Sequence, residues 1–221
     1  MMDRGLDHLV YATPDLDRSV EELSDRFGTE PVPGGAHPGW GTRNALIGLG
    51  IGVYLEIIGP DHGQPDPERS RPFLIDDLTE ARLVTWAYRH PDPESMRESV
   101  RDVVRLGPVR RMSRNRPDGS TLRWRLSYPL ALPAGGVVPF VIDWGATPHP
   151  STALPNVCRL LELVVSHPDA DMLRPVLDSF GPVLSELHGG TSIVSNISIV
   201  AATEPGVRAR IQTPKGEIDL S

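Results

Sequence analysis

The chain has 221 residues, 39% hydrophobic and 23% charged, with a formal net charge of −7. That length can bury a sizeable core, as one elaborate domain or several touching modules, and the acidic balance argues against a nucleic-acid partner, whose phosphates need a basic patch. The single cysteine, Cys158, excludes an intramolecular disulfide and any multi-cysteine metal site, and beside an apolar run it reads as a small buried hydrophobe.

The N-terminus, Met1-Met2-Asp3-Arg4-Gly5, runs straight into a strand-like segment, Leu6–Ala12. No leader and no membrane-length apolar run is evident, so a cytoplasmic protein with no membrane partner is expected. Thr13 then reads as a helix cap, Pro14 as the first helical residue, and Leu16, Val20, Leu23 and Phe27 as one buried stripe that stops at Gly28. Three extended segments follow, near Glu30–Pro33, Asn44–Leu49 and Val53–Ile58, giving the order βαβββ. Between the first two, Gly34 to Gly41 reads as a loop able to fold over a cleft mouth.

The same grammar returns twice. Pro14-Asp15, Pro91-Asp92 and Pro168-Asp169 are evenly spaced by 77 residues, and each follows a strand-like run. A fixed period with one internal order is the mark of a repeated unit. In the second copy, Leu83–Arg89 is the strand and Pro91–Leu106 the helix. A hairpin turns at Arg116-Pro117-Asp118-Gly119, and Val137–Trp144 closes the unit. Its Arg110, Arg111, Arg114 and Arg116 read first as a solvated hairpin and second as a site for an anionic substrate. The third copy is shorter: Leu160–Val165 is the strand, Pro175 should kink or delay the helix before its stop at Gly181, and Ile193–Ala201 and Val207–Thr213 are later strands. Pro-rich connectors at Asp61–Pro67 and Ala146–Pro155 should lie ordered on the surface. His90 and His167 read as helix caps, and His62, His149 and His188 as turn residues without a special signal.

The expected fold is therefore α+β: tandem βαβββ modules at residues 1–75 and 76–150 and a third, shorter one at 151–221, two of them forming a half-barrel cleft. In a split βαβ unit the first and last strands are neighbours, so His8 and Glu56 can meet. Each stands among apolar strand residues, where an unpartnered ionisable group costs several kcal/mol. A His–Glu hydrogen bond would explain them, and so would a shared divalent cation, since imidazole and carboxylate are apt ligands.

Leu6-Asp7-His8-Leu9-Val10, Pro14-Asp15-Leu16, Tyr54-Leu55-Glu56-Ile57-Ile58 and Pro139-Phe140-Val141-Ile142-Asp143-Trp144 resemble the vicinal oxygen chelate superfamily of glyoxalases, extradiol dioxygenases and bleomycin-resistance proteins. The stretch His37 to Leu46 is similar to its glyoxalase-like domain branch. The resemblance implies a divalent metal (Zn, Fe, Mn or Ni) held by His8 and Glu56, with further ligands from a partner unit. Counting by the repeat offers Thr85, a poor ligand, or Asp143 with a small register shift in the second unit, and Glu162 in the third, whose last-strand counterpart is Arg210. Units one and two are expected to pair, with units one and three as the alternative. Glu56 and His37 are the candidate acid/base groups. Arg43, Asn44, Trp40, Tyr54, Trp86 and Trp144 are candidate substrate contacts, although capping suits Arg43 and Asn44 and a core role suits the tryptophans equally well. Three functions are open: a metal-dependent lyase, isomerase or dioxygenase acting on a small oxygenated substrate, a metal-free protein that binds or sequesters a small molecule, or a degenerate module used for assembly only. A homodimer is left open.

Overall fold

A computed structural model describes residues 4–116, 118–127, 132–180 and 197–221. The first unit comprises β1 (Gly5–Ala12), α1 (Leu16–Phe27), β2 (Val32–His37), β3 (Thr42–Gly48) and β4 (Tyr54–Pro60). The second comprises β5 (Arg82–Arg89), α2 (Pro93–Ser99), β6 (Val109–Asn115), β7 (Thr121–Ser127) and β8 (Phe140–Asp143). The third comprises β9 (Arg159–His167), α3 (Ala170–Asp178), β10 (Ile197–Ala201), β11 (Gly206–Thr213) and β12 (Gly216–Leu220). Of the expected strand Ile193–Ala201, residues 193–196 lie outside the described residues, as does the expected stop at Gly181.

The repeated Pro-Asp has a local cause. Asp15, Asp92 and Asp169 are the N-caps, accepting the backbone N–H of Arg18, Ser95 and Met172 respectively. Thr13 Oγ1, His90 Nδ1 and His167 Nδ1 in turn accept the N–H of the aspartate two residues on, at 3.0, 3.1 and 3.0 Å. The cap is thus the aspartate, and the threonine or histidine holds the aspartate in place. α2 ends at Ser99, well short of the expected Leu106, whereas α3 runs through Pro175.

Units one and two pair with each other. Their strands form one sheet in the order β1-β4-β3-β2-β6-β7-β8-β5, closed because β1 also pairs with β5. Within each unit the first strand runs parallel to the last, and Thr13 N–H donates to Ile58 O as His90 N–H does to Ile142 O. The sheet curls beyond a half-barrel until β2 and β6 meet at one pair, Ala36 and Asn115. At this seam Gly35 has φ +124°, and a Cβ on it would lie 1.7 Å from the Asn115 carbonyl oxygen. Of the stretch expected to be a loop, Gly34–His37 is therefore strand, with glycine at the seam needed for close approach, while residues 38–41 form the turn into β3.

Strand alternation separates two cores. Val10, Leu46, Ile58, Ala87, Leu126 and Phe140 point into the barrel. Leu9, Tyr11, Trp86 and Tyr88 point out, into a second core shared with α1, α2 and the sheet β10-β9-β11-β12. The third unit therefore braces the outside of the barrel. No helix among the described residues is long and apolar enough to cross a membrane.

Candidate functional site

A hollow inside the barrel brings His8, His37, Asn44, Tyr54, Glu56 and Arg114 together against walls that include Phe73, Trp124, Phe140 and Trp144. About 50 Å3 is open to the centres of water-sized molecules, room for roughly three to five waters or one compact ligand.

His8 is set by a β-bulge. The pairing of β1 with β5 slips between Leu6 and His8, leaving Asp7 as the extra residue, and slips again so that Val84 is extra on β5. Asp7 and Val84 are one repeat period apart, so the irregularity is part of the unit. The bulge re-aims Asp7 so that two consecutive side chains can cooperate. Asp7, with no exposure, accepts from His8 Nδ1 at 2.7 Å, His149 Nε2 at 3.1 Å, Arg89 Nη1 at 3.1 Å and Trp144 Nε1 at 3.2 Å. Burial alone would push this carboxyl up, but the hydrogen bonds and charges of His149 and His8 hold it well below the usual carboxylate range. Because a carboxylate only accepts, His8 Nδ1 carries the proton and Nε2 is the atom turned to the hollow. The His8 ring also stacks on Tyr54 at 4.7 Å.

Glu56 Oε2 stands 3.6 Å from His8 Nε2, and Oε1 accepts from Asn44 Nδ2 at 2.5 Å. The Asn44 amide is oriented by Arg114, whose Nη1 donates to Asn44 Oδ1 at 3.0 Å. Gly34 makes room for that contact, since a Cβ there would lie 2.0 Å from both Arg114 Nη1 and Asn44 Oδ1. His37, at the end of β2, shares a hydrogen bond with Thr42 Oγ1 at 3.0 Å, while its Nε2 is 3.5 Å from Asn44 Nδ2 and 3.9 Å from Glu56 Oε1. Burial lowers its pKa to about 4, with Arg114 adding to the effect and Glu56 and Asp61 opposing it, so His37 is neutral at neutral pH.

Of the residues singled out in the sequence, the fold gathers His8, His37, Trp40, Asn44, Tyr54, Glu56 and Trp144 around the hollow. It does not bring the others there. Arg43 points off β3 to Asp17 at 2.7 Å, and Trp86 faces the outer core, its indole donating to Val137 O at 2.8 Å. Asp143 pairs with Arg125 at 2.7 Å, because its neighbour Ile142 takes the inward position. Glu162 lies in the other sheet, paired with Arg210 at 3.0 Å and accepting from Ser198 at 2.7 Å. Two residues of the polar site were missed: Asp7 stood inside a recognised motif, and His149 had no local signal. Arg114 was named only within an arginine cluster read first as a solvated hairpin; Arg110 and Arg111 are indeed exposed, whereas Arg114 is buried.

The register also locates the second unit's counterparts of His8 and Glu56. Ala12 and Ile58 correspond to Arg89 and Ile142, so stepping back along each strand gives Thr85 and Phe140. Neither is a metal ligand. His37 adds no third donor at the same point, because the Asn44 amide contacts both its Nε2 and the facing Glu56 oxygen. No group of three or more His, Cys, Asp or Glu able to hold a metal occurs among the described residues. The donor set does not fit a protein-built metal centre.

The paired βαβββ units and the inward His8 and Glu56 define a vicinal oxygen chelate fold. The chain matches the glyoxalase-like domain family over residues 6–181 and belongs to it. No curated protein matches the chain. Among solved structures, it is similar to a hypothetical protein from Staphylococcus aureus, 14% identical, with 91% of this chain and 88% of that one covered and a TM-score of 0.65. Methylmalonyl-CoA epimerase from Mycobacterium tuberculosis is 25% identical over 64% of this chain and 88% of that one, with a TM-score of 0.42. The Streptomyces coelicolor epimerase, in complex with 2-nitronate-propionyl-CoA, is 23% identical over 64% and 95%, with a TM-score of 0.44. Only the likeness to the Staphylococcus aureus protein bears on the fold, and on the fold alone.

Proposed function

We propose that this protein is a glyoxalase-like enzyme of lyase or isomerase type, which moves a proton on a small oxygenated substrate held in the barrel with Glu56 as the proton acceptor. The posture of Glu56 carries this reading: Oε1 is fixed by Asn44, while Oε2 faces the hollow beside His8 Nε2. A carboxylate so held is a base for a C–H bond next to a carbonyl, and the aromatic walls limit water around it. The proton passes to Glu56, the C–H electron pair moves onto the carbonyl oxygen, and Arg114 meets the charge that forms there. Asp7 keeps the His8 ring oriented, and return of the proton to carbon completes the turnover. A cation-dependent form of the reaction would have only His8 and Glu56 to hold the ion.

Thr85 and Phe140, where a second pair of ligands would stand, favour a second reading: binding or sequestration of a small molecule without chemistry. Proton NMR in D2O separates the two, with pyruvate and the neutral butane-2,3-dione as probes. The enzyme reading expects the wild type to accelerate loss of the methyl protons of at least one probe, with a chelator making no difference. Glu56→Gln should slow the exchange by about a hundredfold or more. Exchange no faster than in buffer, or equal in wild type and variant, would overturn it, and binding without exchange would leave the second reading standing.

A further inference from the structure

Arg114 is 4% exposed, yet none of the ion pairs among the described residues includes it. Its one hydrogen-bond partner among those residues is Asn44, reached through Nη1 alone. A guanidinium carries five N–H donors in a planar fork, and a buried charge without a paired anion is costly. Burial does pull the Arg114 pKa below the ordinary guanidinium value, with Tyr54 and Glu56 opposing the shift. Glu56 lines the same hollow, but the Asn44 amide stands between them, accepting from Arg114 on one side and donating to Glu56 on the other. Asp7, the other buried carboxylate, is already surrounded by His8, Arg89, Trp144 and His149. Arg114 therefore lines the hollow with donors that no described carboxylate pairs.

We propose that the hollow takes a small ligand bearing a carboxylate or an equivalent planar oxyanion, and that Arg114 selects it through a two-point contact. This deepens the reading of the barrel interior as a ligand site and rests on it. Planar bidentate recognition is what the guanidinium fork provides and an ammonium does not. The flat aromatic walls suit the remainder of the ligand, and the volume limits it to a compact acid. Gly34 belongs to the same device, because a side chain there would occupy the space of the Arg114–Asn44 contact.

Titration of the intrinsic tryptophan fluorescence tests this with two matched pairs, benzoate against benzamide and pyruvate against pyruvamide. The wild type should bind at least one acid about tenfold or more tighter than its amide. Arg114→Met, of similar length and without charge, should lose that preference, bringing the acid-to-amide ratio to within about twofold of one. Arg114→Lys should recover only part of it. Thermal melts of the variants check folding, and the acid-to-amide ratio of the wild type needs no variant. Equal binding of acid and amide by the wild type would overturn the selection of an anion while leaving the ligand site intact. Binding of neither pair would overturn both, and an unchanged ratio in Arg114→Met would remove Arg114 from the role.

Discussion

A carboxylate with no exposure, enclosed by two histidines, an arginine and an indole, stands behind the atom that faces the ligand space. Asp7 turns His8 from a core histidine into an oriented one, and Asn44 does the same for Glu56. His37 differs from both, since burial has made it a neutral hydrogen-bonding group. Its lowered pKa is also a statement about stability. The unfolded chain titrates near the ordinary 6.5 and the folded one near 4, so the unfolded state binds more protons between these values. Stability should therefore fall as pH drops from about 6.5 to about 4, with His37 accounting for about 3 kcal/mol of the loss. Urea titrations across that range should show the slope in wild type and a flatter one in His37→Asn. Equal slopes would mean that His37 is not buried as described.

At the scale of elements, glycine at the seam matters as much as the polar strands. β2 and β6 touch at a single pair, and Gly35 combines a positive φ with a Cβ position already filled by backbone. Gly35→Ala should destabilise by about 1–3 kcal/mol from the backbone alone, and by more if the seam cannot separate. Chemical denaturation measures this. Gly119→Ala, at a positive φ with open space around it, gives the strain without the clash. Equal losses in both variants would show that close approach at the seam contributes nothing. Legibility in the sequence follows the same division. His8 and Glu56 could be found because each interrupts an apolar strand, and the Pro-Asp period located three helix starts. The seam, the bulge at Asp7 and the inward turn of Arg114 depend on register between strands, which no local pattern encodes. Asp143 failed as a ligand for that reason: one residue along β8 is the difference between the inside and the outside of the barrel.

Across the whole molecule, the repeat has been used unequally. Units one and two build the barrel, but of these two only unit one places a polar pair on its first and last strands, as Thr85 and Phe140 stand at those positions in unit two. No described residue of the third unit lines the hollow; this unit packs instead against the outer faces of β1 and β5. The polar groups of the hollow are thus concentrated on one wall, with Arg114 brought to it from the other unit across the seam. His149 closes the rear of the site from the connector between the barrel and the second sheet.

The four tryptophans allow a direct reading of where a ligand goes. Trp40, Trp124 and Trp144 line the hollow, whereas Trp86 lies in the outer core. In a nitrogen-15 correlated spectrum recorded during titration with pyruvate or benzoate, the indole signals of Trp124 and Trp144 should move together and saturate while that of Trp86 stays fixed. A saturating shift of Trp86, or ligand binding that leaves Trp124 and Trp144 unmoved, would contradict a ligand site inside the barrel.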